Sequence, residues 1–197
     1  MKTRYIRSLA IAVLLIVYTS AASAHSGAGI SGGFTSGFLH PIFGWDHVIA
    51  MVAVGLWGAF LGSPAIWILP VIFPLVMALG GALGVIGVPI PAVETGIATS
   101  AIVLGSMVAF AVRPPIWIAA VIVGSFAIFH GYAHGTELPN AANPLAYSIG
   151  FVISTGLLHL SGIAFGLLVR WPIGKVIVRA GGGLIALVGV GFLTGIV

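Results

Sequence analysis

The chain has 197 residues, of which 60% are apolar and only 5% charged, with a mean hydropathy of +1.25. A water-soluble domain clothes itself with about a quarter of its residues charged, so this composition excludes a soluble fold and points to an all-α membrane protein. The absence of cysteine excludes a disulfide framework and a thiolate metal site.

Residues 1–24 have the make-up of a cleavable secretory signal peptide. Lys2, Arg4 and Arg7 form a basic start, Leu9 to Val17 an apolar run too short to span a bilayer comfortably, and Ala22-Ser23-Ala24 a small-residue cleavage site. An uncleaved signal anchor is the alternative reading of the same segment. Removal of 1–24 would leave Arg113, Arg170, Lys175 and Arg179 against Asp46, Glu94 and Glu137, a net charge of +1. The basic pI therefore belongs largely to the targeting segment, and nothing in it supports nucleic-acid binding.

A spanning helix needs roughly 20 apolar residues. No charge occurs between His47 and Glu94, which leaves room for two spans divided by Gly62-Ser63-Pro64, the second closed by Gly87-Val88-Pro89-Ile90-Pro91. A third span is expected from about Ala92 to Val112 and a fourth from Ile116 to about His134. Leu138-Pro139-Asn140 and Asn143-Pro144 make a loop, followed by spans from Leu145 to Val169 and Ile173 to Val197. The expected architecture is a bundle of six transmembrane helices over residues 25–197, following the signal peptide. With a cleaved N-terminus outside, the loops after spans one, three and five face the cytoplasm. These loops hold all the mature basic residues except Arg179, which can snorkel to the same face, as the positive-inside bias requires.

Glycines three or four apart, Gly80, Gly81, Gly84 and Gly87 in the second span and Gly162 and Gly166 in the fifth, read as surfaces for close helix packing. Met51, Met77 and Met107 read as core or lipid-facing residues. No internal repeat is evident.

Ionisable groups at membrane depth cost about 2.5–3.5 kcal/mol or more each, so each of the few present requires a reason. The first span opens with His40-Pro41-Ile42-Phe43-Gly44-Trp45-Asp46-His47. On a regular helix, with Pro41 in its first turn, His40 and His47 share a face because seven residues make nearly two full turns. The fourth span ends Phe129-His130-Gly131-Tyr132-Ala133-His134-Gly135-Thr136-Glu137, where His130, His134 and Glu137 fall on one stripe if the helix continues that far. Two imidazoles one turn apart can ligate one cation, and a carboxylate on the same stripe can complete or charge-balance the site. The topology places both motifs at the outer end, together with Glu94 and, after cleavage, His25, whose free amine and ring could chelate. His25 could equally be only the residue after the cleavage site. Glu94 could cap its own helix or act as ligand or relay. His159, deep in the fifth span, is either an interhelical hydrogen-bonder or part of an inward path.

Imidazole and carboxylate without thiolate suit nickel, cobalt or zinc better than copper(I). No Walker motif is present, and a 2+ ion moving inward gains about 4.6 kcal/mol at about 100 mV, enough for roughly 2,000-fold accumulation without ATP. Secondary transport or facilitated entry of a divalent cation is the expected function, with no permanently bound cofactor. An intramembrane zinc hydrolase, a haem-binding electron carrier and a non-transporting metal receptor are the competing readings.

His40-Pro41-x-x-Gly44-x-Asp46-His47, Phe129-His130-Gly131-x-Ala133-His134-Gly135-x-Glu137 and Pro91-x-x-Glu94 resemble the HupE/UreJ family of hydrogenase and urease accessory proteins, over nearly the whole chain. The resemblance implies a six-helix permease of the bacterial inner membrane for nickel or, in some members, cobalt, serving metalloenzyme maturation. It also implies that His40, Asp46, His47, His130, His134 and Glu137 are the functional positions.

Overall fold

The computed structural model describes residues 33–138 and 143–196, and every regular element among them is helical. The elements are α1 (Gly33–Phe43), α2 (Trp45–Leu61), α3 (Ala65–Val85), α4 (Val93–Ala109), α5 (Ile116–Glu137), α6 (Pro144–Gly166) and α7 (Pro172–Thr194). A single 3₁₀ turn, Leu167–Arg170, joins α6 to α7. The expected signal peptide and His25 lie outside the described residues.

Helices α3, α5, α6 (with its 3₁₀ extension) and α7 are each long and apolar enough to cross a bilayer, and α1 with α2 meets the same test as one span bent by 77°. Helix α4 is apolar but only 17 residues long. The chain is thus a multi-pass membrane protein in which four or five spans are evident among the described residues, against the six expected. Its surface fits that solvent: Trp67, Val71, Leu75 and Leu79, a stripe at four-residue spacing on α3, are all exposed, as are Phe110, Trp117 and Leu187.

The bend corrects one expectation. Residues 40–47 do not lie on one regular helix, and Pro41 stands near the end of α1 rather than in a first turn. Pro41 cannot donate to the carbonyl of Gly37, which weakens the helix just before Gly44. Gly44 then adopts an extended conformation (φ −81°, ψ 100°), its N–H still bonded to His40 O while its own carbonyl accepts from Val48 N–H as α2 begins.

Helix α2 is the central element, with most of its residues from His47 to Phe60 buried, and it packs on α3, α4 and α6. Helix α3 packs most extensively on α5, α4 on α7, and α6 on both α1 and α2. These contacts run over glycine. A side chain at Gly131 would strike the Met77 carbonyl, one at Gly80 the Ile128 carbonyl, one at Gly162 the Val52 carbonyl, and one at Gly166 the side chain of Ala59. The expected packing surfaces therefore exist, with Gly87 as an exception. It closes α3 at φ 74° and touches nothing across the interface. Met51 and Met77 are core residues, and Met107 packs partly buried against the same cluster.

Contacts along the interfaces set the direction of the central helices. Gly33 meets Ala146 and Gly150 meets Phe38, while Gly55 meets His159 and Gly166 meets Ala59, so residue numbers rise together in each pair. Helices α1 and α2 therefore run parallel to α6, entering the bundle from the same end. Gly84 meets Tyr132 and Thr136, which brings the end of α3 and the end of α5 to that end as well.

Candidate metal centre

The bend at Gly44 and the contact of His134 on α5 with Phe151 on α6 bring the two histidine motifs together. The rings of His40 and His47 are 5.7 Å apart, those of His40 and His134 4.9 Å, and those of His47 and His134 4.4 Å between centroids. His40, His47 and His134 each offer a ring nitrogen within 4.8 Å of the other two. Imidazoles around one ion with bonds of about 2.0–2.1 Å need their donors roughly 3.4 Å apart, so small side-chain rotations would close the set. The three residues come from α1, α2 and α5. His40 and His47 meet as expected, but on separate helices.

The rings of His47, His40 and His130 each have a carboxylate or carbonyl beside them. Asp46 Oδ1 lies 2.7 Å from His47 Nδ1, which favours the proton on that nitrogen and leaves Nε2, buried and without a hydrogen-bond partner among the described residues, as the lone-pair donor. Glu137 Oε2 lies 3.6 Å from His40 Nε2 at the half-exposed mouth, so α5 does continue far enough to bring Glu137 round. His130, fully buried one turn below His134, places Nδ1 3.1 Å from the Phe126 carbonyl. With Nδ1–H donating there, Nε2 carries the lone pair, and it too has no partner among the described residues. The His130 ring stands 5.5 Å from that of His47.

Aromatic side chains wall the group. Phe151 lies 4.3 Å from the His134 ring, Tyr147 lies 6.2 Å from His40, and Phe73 of α3 packs edge-on against His130 at 5.5 Å. Gly44 leaves space for the whole arrangement. A methyl group there would sit 3.0 Å from His47 Nδ1 and 3.2 Å from Asp46 Oδ1.

Of the remaining expected positions, Glu94 is exposed in the first turn of α4 and is not part of the close group of three histidines. His159 is buried well below the cluster on α6, and His25 lies outside the described residues. Tyr147, Phe151, Phe73 and the buried pair Ser154 and Thr155 were not anticipated. For the aromatics no local pattern marks them among many apolar residues. Thr155 did carry a signal, one helical turn before His159.

Chemically, the arrangement is three convergent imidazoles accompanied by two carboxylates, at one end of an apolar bundle. That is a donor set for a borderline divalent cation, with the carboxylates offsetting its charge.

Comparisons with known proteins identify the family. The family model described as "HupE / UreJ protein" matches residues 12–192. The chain is 45% identical over 173 residues to Protein HupE of Rhizobium leguminosarum bv. viciae, covering 87% of this chain and 91% of that protein. No solved structure matches.

Proposed function

The chain belongs to the HupE/UreJ family, and from that premise we propose that it is a secondary permease of the bacterial inner membrane. Its cargo is nickel, or alternatively cobalt, carried from the periplasm to the cytoplasm for hydrogenase or urease maturation. The observation that carries this reading is the convergence of His40, His47 and His134 from three helices, with donors within 4.8 Å of each other, at the carboxylate-bearing end of the bundle.

In this reading α4 crosses as a short sixth span and the mature N-terminus is periplasmic. The charge distribution supports that orientation. Arg113 stacks on Phe60 at the far end of α2, Arg179 Nε donates to the Ala109 carbonyl, and Arg170 and Lys175 flank the start of α7. All four cations therefore lie opposite the histidines, as cytoplasmic positive charge would.

The geometry supports the following sequence of events. A hydrated cation is drawn to Glu137 and Asp46, exchanges water for the nitrogens of His40, His47 and His134, and then moves toward the buried His130. Neutral imidazoles let the ion leave again, and the membrane potential drives it inward.

The test is radiolabelled nickel uptake, with cobalt as competitor, in cells lacking their own nickel importers. Cells expressing the protein should accumulate nickel, cells expressing His134→Ala at equal membrane abundance should not, and Met77→Leu should behave as wild type. Normal uptake by His134→Ala would remove the assigned site. Absence of uptake by well-expressed wild-type protein that still binds metal would favour a receptor instead.

A further inference from the structure

Below the three-histidine group, helix α6 carries a second series of buried polar side chains. Ser154 and Thr155 are fully buried and His159 is 2% exposed, yet Ser154 Oγ, Thr155 Oγ1 and His159 Nε2 have no hydrogen-bond partner among the described residues. Burying such atoms unpaired is unfavourable, and a polar side chain serving only to join helices would show its partner.

Their levels are fixed by the parallel run of α2 and α6. Phe151 touches His134 at the mouth group, and His159, which lies eight residues further along α6, meets Gly55, eight residues beyond His47 on α2. Eight residues of helix place His159 about 12 Å deeper than the mouth. Thr155 sits one turn above His159 on the same face of α6, midway in that interval. His130 supplies its unpaired Nε2 one turn below His134 on α5. The Phe73 ring joins the two histidines, with its centroid 5.5 Å from His130 and 5.4 Å from His159. Nitrogen and hydroxyl donors therefore continue inward from the mouth, and α6 itself carries no carboxylate.

We propose that His159 and Thr155, with His130 across the Phe73 ring, form a second, deeper coordination stage for a divalent cation, built from imidazole and hydroxyl donors. This inference rests on the transport reading. Its chemical logic is a difference between the stages: the mouth, with Asp46 and Glu137, captures the ion, whereas a site of imidazole and hydroxyl groups holds it weakly enough to pass it on.

The experiment uses the purified full chain, with nickel binding measured calorimetrically in detergent and nickel influx measured in proteoliposomes containing a metal-sensitive dye. His159→Ala should bind nickel at the mouth as wild type does while its influx falls about tenfold or more. Wild-type influx in that variant would overturn the deeper stage and leave the mouth site standing. If His159→Ala is not recovered folded, the near-isosteric Thr155→Val decides in the same way, with reduced influx at unchanged mouth binding expected and unchanged influx overturning. A purely structural role would not alter ion preference, so His159→Cys provides a further readout. It should raise cadmium influx relative to nickel, because thiolate favours softer ions, and an unaltered ratio would count against coordination. A wild-type protein that neither binds nor carries nickel or cobalt would instead refute the transport reading itself.

Discussion

At the scale of single residues, Asp46 and Glu137 have different relations to the histidines they accompany. Asp46 is two-sided in its effect: it sits 2.7 Å from His47 Nδ1, orienting the ring, and it brings negative charge to the cluster. Asp46→Asn should leave the protein folded and lower nickel affinity by roughly 10–100-fold, as loss of a carboxylate behind a ligating imidazole does elsewhere. Calorimetry on the purified variant checks this. The dependence on pH has a definite sign. A protonated imidazole cannot ligate, and an unperturbed one titrates near 6.5, so nickel affinity should decline as the outside pH is lowered from about 7.5 to about 5. Affinity that stayed constant over that range would argue against a histidine site. That His40, Asp46, His47, His130, His134 and Glu137 gather in one region was legible in the sequence, because ionisable residues are so rare in it. The flanking Tyr147, Phe151 and Phe73 were not, since nothing local distinguishes them from other aromatic residues that face lipid.

At the scale of elements, glycine decides how closely helices approach. Gly131 rests against the backbone of Met77 and Gly81, and a methyl group there would overlap the Met77 carbonyl. Gly131→Ala should therefore push α3 from α5, destabilise the bundle by about 1–3 kcal/mol and disturb His130 and His134 on either side. Gly181→Ala, at a position on α7 where an added methyl meets nothing within 4 Å, should be silent. Thermal unfolding in detergent of the two variants provides the comparison. Element boundaries were mostly legible from proline and glycine: α3 between Pro64 and Gly87, α5 from Ile116, and α6 and α7 each opening on proline. The first span was misread. Helical periodicity assumes an unbroken helix, whereas Pro41 and Gly44 interrupt it, so α1 extends back to Gly33 and α2 departs at 77°. Discontinuous helices are tolerated at membrane depth where the backbone groups at the break stay satisfied, and here Gly44 keeps both its N–H and its carbonyl bonded between His40 and His47.

At the scale of the molecule, charge is segregated along the bundle. His40, Asp46, His47, His134 and Glu137 gather at one end, and Arg113 and Arg179 are fastened to Phe60 and Ala109 at the other. In the proposed orientation this arrangement adds no energy source of its own, so accumulation must follow the membrane potential. In proteoliposomes with a potassium diffusion potential of about 100 mV, inside negative, nickel should accumulate toward the roughly 2,000-fold limit for a divalent ion, and abolishing the potential should reduce it to equilibration. Accumulation that persisted at zero potential would require coupling to another gradient.

Composition and punctuation alone determined that this protein is a helical membrane protein, where most of its helices begin and end, and which few side chains can bind a cation. Those properties depend on local chemistry: the cost of charge in lipid, the conformational limits of proline and glycine, and the donor capacity of imidazole. Only the tertiary structure decided which apolar stripe of each helix is buried, that the first span breaks at Gly44, and that His130, Thr155 and His159 carry unpaired polar atoms below the mouth. On α3 the stripe Trp67, Val71, Leu75, Leu79 faces outward and Leu69, Phe73, Met77 inward, though both are equally apolar. Lipid and protein interior are alike in polarity, so burial in a membrane is settled by shape and close packing rather than by a pattern of polar and apolar residues.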